Sequence, residues 1–139
     1  MVMKVLVATD GSEQGMQAVA RGLELAEKQG AQVTLMTVAY FAKDYFDEMP
    51  VNIQDKLEAE AAAVLAKAKA VFDAKNIPVK TVMEAGLVPA NNIIRRAEED
   101  KFDRIIMGST GRTGFKKILM GSTAAKVVAN APCEVTVVR

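Results

Sequence analysis

The sequence predicts an α/β protein, a doubly wound five-stranded parallel sheet with helices on both faces. Three observations predict it. Short apolar runs rich in β-branched residues recur along the chain, and between them stand stretches whose apolar residues repeat every three or four positions. The first run, Val2 to Thr9, is apolar save for Lys4, as suits a strand covered on both faces.

That run is the first strand. Asp10-Gly11-Ser12 breaks the pattern, and Ser12 is a suitable N-cap with Glu13 in the first turn, so a helix follows through Met16, Val19, Leu23 and Ala26. Gly30 ends it. Gln32 to Tyr40 is the second strand, again mostly apolar and β-branched. Phe41 to Asn52 mixes aromatics, acids and Pro50 and reads as an irregular segment or a flap.

Ile53 to about Lys75 is alanine-rich with Leu57, Ala61, Val64, Ala68, Val71 and Phe72 at helical spacing, a long amphipathic helix. Val79 to Ala85 alternates between apolar and polar residues, as an edge strand with one wet face does. Gly86 to Pro89 turns the chain, and Asn91 to Asp100 forms a short helix. Asp103 to Met107 is the fourth strand, Thr123 to Asn130 the last helix, and Cys133 to Val138 the fifth strand after Pro132.

Of the doubly wound arrangements, an edge-like third strand favours the order 3-2-1-4-5. The winding then reverses between strands one and four, and ligands bind in the crevice at such a switch point. Asp10 ends strand one and Gly108 follows strand four. Two candidate features thus meet at one place.

Composition narrows what that place can do. With 139 residues, no repeat and no linker, the chain reads as one domain. A net charge of +1 gives no broad basic face for nucleic acid. No run is long enough to span a membrane, and the first nine residues run straight into a strand rather than forming a signal peptide, so a cytoplasmic protein is expected. The single cysteine, Cys133, has no partner for an internal disulfide and reads as a small packed residue. There is no histidine, which removes the commonest general base and transition-metal ligand.

The chemistry concentrates in Gly108 to Thr123, GSTGRTGFKKILMGST. It joins a strand to a helix and carries four glycines, so backbone amides at the helix start can approach an anion closely. Ser109, Thr110, Thr113, Ser122 and Thr123 add hydroxyl donors. Glycine, serine and threonine are also ordinary surface-loop residues, but a mere connection needs fewer of them. The stretch reads as a phosphate cradle. Neither a G-x-x-x-x-G-K-[ST] loop nor a G-x-G-x-x-G fingerprint is present.

What is present is Gly108-x-x-Gly111, nine further residues, then Gly121-Ser122, with an aspartate closing strand one. In this pattern and in element order the whole chain resembles the ATP-binding branch of the universal stress protein family. The resemblance implies a Rossmann-like sandwich of the adenine-nucleotide alpha-hydrolase kind. It also implies that phosphates and ribose are held by Gly108, Ser109, Gly111, Arg112, Thr113, Gly114, Gly121, Ser122 and Thr123. Adenine would lie against the backbone at Val38, with Ala8 and Met107 lining the slot. Family members commonly carry proline where Ala8 stands, and an apolar contact is expected from either. Asp10 would lie beside the ribose or a magnesium ion bound to the nucleotide.

Read from the residues alone, Asp10 is equally suited to capping the first helix. Arg112 suits a phosphate or open solvent. The expectation is a regulatory stress-response protein that binds ATP, ADP or AMP with magnesium. It would hydrolyse ATP slowly at most and switch what an unidentified protein partner sees. A nucleotide-independent dimeric adaptor is the alternative, and a hydrolase acting on an activated adenylate is a third reading. The fifth strand carries Val135, Val137 and Val138 without lysine or proline to discourage pairing, so a homodimer through that edge is expected.

Overall fold

The computed structural model describes residues 2–41, 52–110 and 120–139. Among these, β1 (Lys4–Ala8), α1 (Glu13–Gln29), β2 (Gln32–Tyr40), α2 (Asn52–Asp73), β3 (Lys80–Gly86), α3 (Pro89–Glu99), β4 (Arg104–Gly108), α4 (Ser122–Asn130) and β5 (Glu134–Val138) alternate along the chain. The strands pair in parallel in the order β3-β2-β1-β4-β5, as the sequence predicts.

Helices cover both faces and divide the core in two. On one side α1 and α2 bury Val5, Val7, Val19, Leu35, Phe72 and Ile106; on the other α3 and α4 bury Leu6, Met36, Ile93, Ile105 and Val127. Adjacent residues of β1 therefore point to opposite cores, which is why its sequence is apolar almost throughout. Cys133 packs at the edge of the second core. Burial foremost, then the Asp103 and Glu134 carboxylates, pushes its thiol pKa up, consistent with a packing role.

Local signals set most boundaries. The Ser12 side chain accepts a hydrogen bond from the Gly15 amide, and Gly30 closes α1. α3 begins at Pro89 rather than Asn91, because a proline in the first turn has no N–H to leave unpaired. β4 extends through Gly108, which pairs with Val138, so the first glycine of the cradle belongs to the strand. β1 is shorter than the apolar run that predicts it, and β3 is shifted by one residue.

α3 is fastened to β3 by a polar cluster. Glu84 accepts from Asn92 Nδ2 at 2.9 Å and Arg95 Nη2 at 2.6 Å through one oxygen, and from Arg96 Nε at 2.8 Å through the other. This fixes the helix whose first turn reaches the switch point.

Candidate functional site

A hollow of about 260 Å³ opens at the carboxyl ends of β1 and β4, where the winding reverses. Its apolar lining begins with a single row across the sheet. Ala8 pairs in register with Met36 on one side and Met107 on the other, so three side chains lie abreast. Val38, one repeat further along β2, and Pro89 and Ile93 of α3 extend this lining. Such a surface suits a flat apolar body.

The polar lining comes from three chain segments: Thr9 and Asp10 after β1, Gly108, Ser109 and Thr110 after β4, and Gly121, Ser122 and Thr123 at the start of α4. Gly121 is the N-cap of α4 and supplies no side-chain cap. The first intrahelical bond is Ala125 N–H to the Gly121 carbonyl, so the amides of Ser122, Thr123 and Ala124 find no partner within the helix. They sit at the positive end of the helix dipole beside the hollow, a favourable place for an anion.

The bend after β4 is organised differently from the simple reading of free amides. The Ser109 amide donates to the Val138 carbonyl at 2.7 Å, and the Ser109 carbonyl accepts from the Gly121 amide at 2.6 Å. One buried residue thereby joins β5, the bend and α4. The Thr110 amide donates to Gln14 Oε1 at 2.8 Å, and the hydroxyls of Ser109 and Thr110 donate to the same oxygen. These two amides stabilise the wall of the hollow rather than facing a ligand.

Asp10 has both features weighed from the sequence. Its Oδ1 accepts from the Ser12 amide at 3.0 Å, and the half-buried residue lines the hollow. Gly15 makes this approach of α1 to the loop feasible, since a β-carbon there would lie 2.7 Å from both Asp10 Oδ1 and Thr9 Oγ1. Among the described residues of the lining, Asp10 is the one that carries a carboxylate. Magnesium is typically held by one or two carboxylates together with substrate phosphates, a donor set that this lining fits.

The structure thus gathers Ala8, Asp10, Val38, Met107, Gly108, Ser109, Gly121, Ser122 and Thr123 around one hollow. Gly111, Arg112, Thr113 and Gly114 lie outside the described residues, as do positions 42–51 of the expected flap. Met36 and Ile93 were not legible as lining, because apolar residues at strand and helix spacing look like core. Gln14 carried no signal, since glutamine in a first helical turn is an ordinary surface choice.

Residues 1–139 match the universal stress protein family. The universal stress protein MJ0531 of Methanocaldococcus jannaschii is 35% identical over 141 aligned positions, covering 98% of this chain and 81% of that protein. The solved structure of MJ0577, from the same organism, superposes with a TM-score of 0.87 at 30% identity, covering 99% of this chain and 96% of that one. A universal stress protein of Archaeoglobus fulgidus in complex with dAMP shares the fold, with a TM-score of 0.73 at 18% identity over 100% of this chain and 98% of that one.

Proposed function

This chain belongs to the universal stress protein family, and on that premise we propose that it is a regulatory adenine-nucleotide-binding protein, with ATP and magnesium as its foremost ligand. One observation carries the reading. The hollow joins an apolar row, Ala8, Met36 and Met107, to the uncapped start of α4, with Asp10 on its rim. An apolar body with an anionic tail suits both ends, and dAMP, bound by a protein of the same fold, is of that kind.

In this reading the base lies along Ala8, Met107 and the Val38 backbone. Gly108, Ser109, Gly121, Ser122 and Thr123 receive ribose and phosphates, and Gly111, Arg112, Thr113 and Gly114 complete the cradle. Asp10 faces the ribose or a magnesium ion carried by the phosphates, and that ion would supply neutralising charge. The 139 residues act as one domain.

Rapid hydrolysis requires a positioned water, a group to orient it and charge stabilisation at the γ-phosphate. The sequence holds no histidine, and Asp10 is already tied to the Ser12 amide. The chain is therefore read as a switch with slow turnover at most. Nucleotide binding at this hollow would change the surface a partner meets.

A dimeric adaptor is the second reading, favoured by β5 standing at the open edge of the sheet with valines at three of its five positions. Heating the protein as isolated and identifying any released nucleotide separates the readings. Release of an adenine nucleotide in near-stoichiometric amount supports the switch; protein that carries none and takes up none at millimolar concentration supports the adaptor.

A further inference from the structure

Gln14 is the second residue of α1, and its side chain reaches across to the bend after β4. Its Oε1 accepts from Ser109 Oγ at 3.0 Å, from the Thr110 amide at 2.8 Å and from Thr110 Oγ1. A carbonyl oxygen has two lone pairs, so three donors oversubscribe it. The three donors differ in one respect. An amide N–H is fixed by the backbone, whereas a hydroxyl rotates its proton to whichever acceptor is better.

From this we infer that Gln14 is the positioning residue of the phosphate cradle: it holds the bend through the Thr110 amide and keeps two hydroxyl donors that a ligand phosphate can draw away. The inference rests on the nucleotide reading and deepens it. Gln14 Oε1 accepts from the hydroxyls of Ser109 and Thr110, both of which line the hollow. When a phosphate oxygen arrives, a hydroxyl proton turns to the stronger, charged acceptor while the amide bond keeps the bend in place. No backbone movement is required, so the donors are pre-organised for a charged tail.

The geometry that enforces this is tight. A β-carbon on Gly108 would lie 3.0 Å from both the carbonyl carbon and Cβ of Gln14, so α1 and the end of β4 are in direct backbone contact there. The role of Gln14 is confined to the phosphate end, because the apolar row of the hollow lies deeper in the sheet.

The test compares ATP, AMP and adenosine, each by calorimetric titration, on the wild-type chain and two variants. Q14E keeps an acceptor of the same shape but places a negative charge beside the phosphates. Its affinity should fall most for ATP, roughly tenfold or more, less for AMP, and remain unchanged for adenosine, with added salt restoring part of the loss. Q14L removes the acceptor and strands the Thr110 amide, so ATP should again weaken roughly tenfold while adenosine is spared.

A merely structural role would reduce all three affinities of both variants by one common factor, with adenosine weakened as much as ATP. That pattern overturns the inference. Wild-type protein that binds neither ATP nor AMP overturns the nucleotide reading instead, and the two failures are thus distinguishable.

Discussion

Gly108 and Gln14 touch through their backbones: a β-carbon on Gly108 would come within 3.0 Å of the Gln14 carbonyl carbon and 3.2 Å of its oxygen. Helix α1 can therefore approach the end of β4 only because that position is glycine. G108A should force the two apart at a cost of about 1–3 kcal/mol, read from urea unfolding, and should weaken nucleotide binding as well. A variant as stable as wild type would contradict the contact.

Phe72 holds α2 over the sheet and is fully buried. F72A should cost about 3–5 kcal/mol in the same unfolding assay, because a large side chain is lost from a close-packed region. A change within about 0.5 kcal/mol, the scale of a surface substitution, would show that α2 is packed otherwise.

Glu84 makes stability depend on pH. Burial alone would raise its carboxyl pKa, but the hydrogen bonds from Asn92 and Arg96 and the charges of Arg96 and Arg95 outweigh burial and hold it below the ordinary range. A depressed folded-state pKa contributes stability that is present above the unfolded value, about 4.3, and is lost as pH falls through the folded value. E84Q should lower stability at neutral pH and flatten the decline on the acid side, measured as urea midpoints from about pH 6 to pH 3. Equal slopes for variant and wild type would remove Glu84 from that account.

β5 predicts association. Light scattering should give the mass of two chains, since an open edge rich in valine favours a paired copy. A monomer at every accessible concentration would contradict the predicted dimer.

Turnover separates a switch from an enzyme. ATP hydrolysis should stay far below about 1 per second, the low end of ordinary enzymes. A faster rate would require a water-orienting group that the reading does not assign.

Much of the fold was legible because its causes are local. β1 and β4 are apolar on both faces, the helices repeat every three or four residues, and the alternation in β3 marked an edge, from which the strand order followed. Pro89 was read as a turn although it opens α3, because the same residue serves either purpose. At the site, spacing located Gly108, Gly121 and Ser122, but it could not show that the amides of Ser109 and Thr110 are already engaged. That depends on the Val138 carbonyl and the Gln14 side chain, which are distant in sequence from the bend and carry no local sign of these bonds. G121V would place a side chain at the start of α4, on the lining of the hollow. A β-carbon there would lie 3.3 Å from the Ser109 carbonyl oxygen, so the variant would strain the bend as well.

The most direct test of the central claim is thermal melting with ATP, ADP, AMP and GTP, each at millimolar concentration with magnesium. A ligand bound by the native state alone raises the melting temperature by mass action, by the equivalent of about 2.7 kcal/mol at one hundred times its Kd. The adenine nucleotides should raise it and GTP should not. An unchanged melting temperature with all four, or an equal rise with GTP, would contradict the adenine-nucleotide site.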